Sequence, residues 1–296
     1  MGSSKKGRRQ ALQKIGKFSL GAGLVAAIPM YLSRGSRRQR APLLAVHASS
    51  FQQQLAGHRC AFSAIPGLAR QCQLQAVELP TTLFPEDLPA DAVASFNKMA
   101  TRWQIQVLAL HLTGNCLQQA VQSQQQAAMA GLAAHCQQLN CQALRVEEPE
   151  MLNCCQQTGQ LPALLGLFAT GLAAAGTGLL ADCRELPEPL WQEIRAQLPA
   201  TAGLRVLPPF SFKKPEACTT LAECLPNDLP MLSLPLACSA ADNGFSVLEP
   251  FMALLAQNNF AGYLSFQCTA DCQARAMQTL ARARSLAMQA WAGKPA

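Results

Sequence analysis

Residues Ala261–Asp271 read AGYLSFQCTAD, and this stretch decides the fold. It is a short apolar strand that follows one helical pattern, Val247–Gln257, and runs into the last, Ala270–Gln289. A strand so placed reads as the closing strand of an α/β barrel. Working back from it, seven more strand-like stretches precede it: Leu43–His47, Ala76–Leu79, Val107–His111, Ala143–Val146, Leu179–Asp182, Leu204–Leu207 and Met231–Leu236.

Helical patterns separate these stretches. A helix is predicted near Ile65–Cys72. Asp91 is placed to cap the next, in which Val93, Phe96, Met99, Ala100 and Trp103 form an apolar face. Leu117–Leu139 is Gln- and Ala-rich, a solvated face with an apolar stripe. Leu161–Ala175 follows, and Gly176 and Gly178 turn the chain into the fifth strand. Pro187–Leu198 opens with a proline suited to a first helical turn and carries Leu190, Trp191 and Ile194 inward. The sixth helix, near Pro215–Leu225, is short. Eight strand–helix units in series close as a single (β/α)8 TIM barrel or, as the alternative, splay into an open doubly wound sheet. Pro235 in the seventh strand and the short sixth helix predict an irregular barrel around strands six and seven.

The chain has 296 residues, half of them hydrophobic, the usual size of one barrel with a short extension. The domains are therefore 1–40, an export signal or anchor with its linker, and 41–296, the barrel. The net charge of +7 is uneven: Met1–Arg40 holds ten of the 24 Lys and Arg and no acid, leaving 14 basic against 17 acidic residues in the body. A mildly acidic body gives no surface that would track phosphates, so no nucleic-acid partner is expected.

Within the leader, Arg8-Arg9 precede Gln10, Ala11 and Leu12, with Lys14 and Lys17 following, and the apolar run Phe18–Leu32 comes next. This resembles a twin-arginine export signal, with Val25-Ala26-Ala27 offering small residues for cleavage, and implies the periplasm or the outer face of a membrane. At 15 residues the apolar run is short for a bilayer span. Arg34, Arg37, Arg38 and Arg40 follow it and oppose translocation, so an uncleaved interfacial anchor contacting the membrane through Phe18–Leu32, or a basic tail, stays open.

Thirteen cysteines make the chain cysteine-rich, but no paired C-x-x-C repeat closes a zinc site. Most read as buried small hydrophobes, with disulfides available if the body is exported. Cys183, Cys238 and Cys268 fall at strand ends and with His111 would suit zinc or copper, although so many cysteines place a few there by chance. Four histidines are few for a multinuclear metal nuclease, and no G-x-S-x-G or phosphate-cradling glycine loop is present.

The active site of a barrel lies at the carboxyl ends of its strands. Those ends are His47, Glu78, His111, Glu147, Asp182, Pro209, Ser239 and Gln267. Around them, Leu68–Leu79 (LARQCQLQAVEL), Gln137–Val146 (QQLNCQALRV) and the closing Gly262-Tyr263 strand together resemble the xylose-isomerase-like TIM barrels, the sugar phosphate isomerase/epimerase family, over Leu43–Met288. The resemblance implies one divalent cation held by carboxylates and a histidine, with two glutamates moving a proton between neighbouring carbons of a sugar. Carried over by position, it puts either Ala181 or Asp182 at the strand-five ligand position, depending on a one-residue shift, and matches His111 as a contact to metal or substrate. Asp182 and His111 are therefore the candidate metal ligands. Glu78 and Glu147, at two further strand ends, are candidate catalytic carboxylates of a rearranged site, and His47, His111 and Gln267 candidate substrate contacts. The family's closing strand ends in a metal-binding glutamate where this chain has Gln267. Its acid after Leu-Pro in strand six is replaced by Pro209, and strand seven offers no histidine. A divalent metal is accordingly expected only if the site is intact. Structural alternatives stand beside these roles: Glu78 or Glu147 pairing with Arg145, and His111 bonding a loop carbonyl.

Three functions remain as expectations. The first is a barrel with an eroded metal site, a pseudoenzyme that binds a small sugar-like ligand or serves a structural role. The second is an active isomerase or epimerase with a rearranged site. The third is a membrane-tethered subunit of a larger complex.

Overall fold

The computed structural model describes residues 42–51, 61–81, 89–112, 126–141, 143–146, 169–173, 176–182, 204–207, 231–237, 243–269 and 273–293. The leader 1–40, Glu147, Cys183, Pro209, Cys238, Ser239 and the expected helices 187–198 and 215–225 lie outside the described residues.

Eight strands form one parallel sheet: β1 (Leu43–His47), β2 (Ala76–Pro80), β3 (Gln106–Leu112), β4 (Ala143–Val146), β5 (Gly178–Asp182), β6 (Leu204–Leu207), β7 (Met231–Ala237) and β8 (Tyr263–Thr269). Their order is β6-β5-β4-β3-β2-β1-β8-β7. The first strand pairs with the last, Leu43 opposite Tyr263 through Val46 opposite Phe266, which is the contact that rolls the sheet into a barrel. Among the described residues no ladder joins β6 to β7, so the irregularity falls where the sequence placed it. Pro235 sits within β7, opposite Gln267 of β8. Among the described residues β7 pairs with β8 alone, and an edge strand is where a sheet tolerates proline.

Helices α1 (Ala61–Gln71), α2 (Ala90–Trp103), α3 (Gln126–Gln138), α4 (Asn243–Gln257) and α5 (Gln273–Ala292) are joined by a helical segment over 169–173. None of the described helices is long and apolar enough to cross a membrane. Between helices and strands lies the main core, in which Phe51, Phe96, Phe251, Phe266, Leu110 and Leu144 are fully buried. Phe62 of α1 stacks on Phe96 of α2 at 4.5 Å between centroids. The barrel interior is a second, smaller apolar cluster of short side chains, Ala45, Ala76, Ala109 and Ala143, with Leu108, Leu180 and Met231.

The five helix-to-strand joints among the described residues share one construction. Each closes with an N–H to C=O bond spanning five residues and an inner one spanning three: Leu74 to Ala69, Ile105 to Ala100, Cys141 to Cys136, Thr177 to Leu172 and Phe260 to Leu255, with Gln73, Gln104, Asn140, Gly176 and Asn259 donating the inner bonds. Among the described residues those five are the ones with positive φ, between 51° and 75°. This is the Schellman ending: a left-handed residue reverses the chain, and the residues flanking it pack together. Glycine takes this conformation without strain, whereas Gln104 at φ 55° does not. Gln104→Gly is expected to raise stability by about 0.5–1 kcal/mol, measured by urea unfolding. An unchanged or lower midpoint would mean that the unfolded state's added freedom outweighs the relieved strain.

Several local expectations are corrected. Asp91 does not cap its helix: Pro89 occupies the cap position without a side-chain bond, and Asp91 lies in the first turn, where its charge faces the positive end of the helix dipole. The first helix begins at Ala61 rather than near Ile65 and carries Pro66 inside it. The fourth begins at Asn243 rather than Val247, with Pro250 inside. Cys268 does not line the barrel mouth. It is buried in the core between sheet and helices, because side chains alternate along β8 and Gln267 takes the other face.

Candidate functional site

Strand pairing puts the strand-end residues into adjacent positions: His47 opposite Glu78, Pro80 opposite His111, and His111 opposite Arg145. One irregularity turns His111 inward. Along β2 the register advances one residue from Val77 to Glu78, while along β3 it advances two, from Val107 to Ala109. The extra residue, Leu108, is a bulge. Before it Val107 faces the helices; after it Leu110 and Leu112 face them, although their parity is opposite. With strict alternation His111 would share the face of Val107. The bulge moves it to the inner face.

There His47 Nε2 and His111 Nδ1 lie 2.6 Å apart, with the rings edge-on at 75°. The other nitrogen of His47, Nδ1, is 2.6 Å from the Ser49 hydroxyl and accepts the Ser49 backbone N–H at 3.4 Å. With Nδ1 as acceptor, the proton of neutral His47 resides on Nε2 and is donated to His111. Ser49 and Ser50 belong to the short 3-10 turn Ala48–Phe51 that follows β1. Ser50 accepts the Cys268 backbone N–H at 2.8 Å, which fixes this turn to the end of β8.

Beside the imidazoles, Arg145 Nη1 donates to Glu78 Oε2 at 2.6 Å, both side chains fully buried. Burial alone would push the Glu78 carboxyl up. The Arg145 guanidinium, then His47, the Ser265 hydroxyl and His111 outweigh it and hold the group down at about 2. Glu78 is therefore a carboxylate at any physiological pH. Ser233 and Ser265 stand opposite each other on β7 and β8, both buried. The Ser233 hydroxyl and the second Glu78 oxygen have no direct hydrogen-bond partner among the described residues. Gln267, partly buried on β8, continues this inner face.

The structure thus brings His47, His111 and Glu78 together and adds Arg145 and Ser265 to them. Asp182 ends β5 opposite Leu207, and its side chain lies outside the described residues, as does all of Glu147. The pairing of Glu78 with Arg145 was one of the two roles expected for that acid. The meeting of the two histidines has no sequence signal, since it depends on the bulge. A divalent metal is a poor fit to these residues: no three His, Cys, Asp or Glu side chains among the described residues converge on one point. Each imidazole spends a nitrogen on the other, and the Glu78 carboxylate beside them is bound to arginine. Hard cations need several oxygen ligands.

No family model and no curated protein sequence matches the chain. Solved structures do resemble it. A sugar phosphate isomerase/epimerase from Parabacteroides distasonis superposes with a TM-score of 0.59 at 11% identity, covering 90% of this chain and 99% of that one. A D-allulose 3-epimerase from Methylomonas sp. gives 0.59 at 9% identity over 85% and 98%. A xylose isomerase domain protein from Alicyclobacillus acidocaldarius gives 0.56 at 16% identity over 84% and 99%. At these identities the likeness establishes the α/β barrel fold.

Proposed function

We propose that this barrel binds a small polar, sugar-like ligand at its carboxyl-end mouth without metal-dependent isomerase chemistry, the metal site having eroded. The observation that carries the proposal is the Glu78–Arg145 pair. A carboxylate that moves protons during a reaction near neutral pH needs a pKa near that pH, and Glu78 is held far below it. Such a carboxylate suits fixed charge and hydrogen-bond acceptance instead.

Two further features support the reading. The Ser233 hydroxyl and the free Glu78 oxygen are buried polar atoms that require water or a ligand hydroxyl as partner. The structural neighbours include a sugar phosphate isomerase/epimerase and an allulose epimerase by name, which makes a polyhydroxylated ligand the natural class.

The test is elemental analysis of natively purified protein, followed by calorimetric titration with Mn²⁺ and then with a panel of ketoses and their phosphates. Substoichiometric metal, no heat with Mn²⁺ and saturable heat with a sugar are expected. Gln267→Glu alone is expected to leave Mn²⁺ binding undetected, because one restored carboxylate does not free Glu78 or add the missing neighbours. Near-stoichiometric divalent metal would overturn the proposal in favour of an active isomerase or epimerase, with Asp182 and His111 as the first residues to vary.

A further inference from the structure

Five joints are built alike, and at four of them the residues bracketing the left-handed turn are ordinary core pairs: Ala69 with Leu74, Ala100 with Ile105, Leu172 with Thr177, and Leu255 with Phe260. At the fifth both are cysteines, Cys136 at the end of α3 and Cys141 at the entry to β4. The Schellman ending places the side chains of these two positions against each other. Here the Cys141 N–H bonds the Cys136 carbonyl at 2.7 Å. With standard peptide dimensions that bond limits the Cα–Cα separation to about 6.6 Å. Disulfides span roughly 4.4–6.8 Å, so the backbone already has the required spacing.

We propose that Cys136 and Cys141 form a reversible intramolecular disulfide, a redox staple across the joint that leads into β4. Both thiols are reduced and buried in the present structure, Cys136 at 0% and Cys141 at 8% exposure. The Cys141 thiol donates to the Ala143 carbonyl at 3.0 Å, which orients its sulfur along the strand entry. Burial, together with the adjoining Cys136 thiol, pushes the Cys141 thiol well above its ordinary range. The staple therefore forms when the helix end opens, not by direct attack from the closed joint.

The oxidant is a small disulfide such as oxidised glutathione. The Cys141 thiolate attacks one of its sulfurs, the S–S bond breaks, and one glutathione thiolate leaves. The Cys136 thiolate then attacks the Cys141 sulfur of the mixed disulfide and expels the second. The two protons lost by the cysteines end on the two glutathione thiols, and two electrons pass from protein to glutathione. The consequence for the candidate site is mechanical. Four residues beyond Cys141, on the strand this joint feeds, lies Arg145, so the staple fixes the strand that holds Glu78.

The test equilibrates the full chain in glutathione redox buffers, starting separately from reduced and oxidised protein, and quenches with acid and alkylation. Cleavage after Leu139 leaves the two cysteines on separate peptides unless a bond joins them. Recovery of the Cys136–Cys141 linked pair from both starting states, with a single midpoint, is the expected result. Cys136→Ala copies Ala69 and Ala100 at the equivalent positions and should therefore fold, yet it must lose the linked pair. The oxidised wild type should melt a few degrees above the reduced form, and the variant should lose that difference. Glutathione adducts on either cysteine without the internal bond, or Cys136 or Cys141 linked elsewhere, would overturn the proposal.

Discussion

Arg145→Met is expected to lose about 3–5 kcal/mol of stability at neutral pH, read as a fall in the urea midpoint with unchanged slope. The reason is desolvation. Glu78 and Arg145 are both wholly buried in the barrel, 2.6 Å apart. Removing the guanidinium strands a carboxylate in a low-dielectric interior. Replacing both partners, Glu78→Met with Arg145→Met, should restore most of the loss, since an apolar pair of similar volume carries no desolvation cost. A single substitution that costs less than about 1 kcal/mol would show that the ion pair is not confined as described.

The pH dependence has a definite sign. Glu78 is held at about 2, below its ordinary 4.5. A carboxyl depressed in the folded state stabilises above its unfolded pKa, and the stabilisation fades as pH falls through the folded value. In the wild type this contribution, about 3 kcal/mol, is complete above pH ~4.5 and disappears towards pH ~2. In Arg145→Met the sign reverses. Burial then raises the carboxyl, so the variant should recover stability on acidification from pH 7 to pH 5 while the wild type does not gain from this group.

The contrast between what could be read from the sequence and what could not follows from range. β1, β4 and β6 have the boundaries expected, because each is a short, mainly apolar run; β4 is buried on both faces, and so is β1 beyond Leu43. Gly176 turns the chain into β5 as its freedom at positive φ allows. The other four joints use Gln or Asn at that conformation, which no residue pattern announces. In the site, Glu78 and Arg145 could be paired from strand ends alone. His47 and His111 are 64 residues apart, and their contact rests on one extra residue in β3. Periodicity in QVLALHL cannot show which apolar residue is the surplus one.

The second large effect is expected at Phe266, in the strand that closes the barrel. Phe266→Ala should cost about 3–5 kcal/mol, since the ring is fully buried and the cavity left beside it is lined by rigid strand and helix side chains. Its neighbours in register are Val46 on β1 and Leu234 on β7, and α5 covers the same face. Gln267→Ala, one residue on, should cost less than about 1 kcal/mol, because that side chain is only partly buried and lies towards the mouth. The pair of measurements tests the register directly. A slip of one residue in β8 would exchange the two faces and put the glutamine against the helices. Comparable losses at the two positions would therefore contradict the pairing of β8 with β1. If the contrast holds, Ser265 and Gln267 are fixed on the inner face beside His47 and Glu78. Gln267→Ala then becomes the cleaner probe of ligand binding: a lowered sugar affinity at unchanged stability would locate the ligand at this end of the barrel.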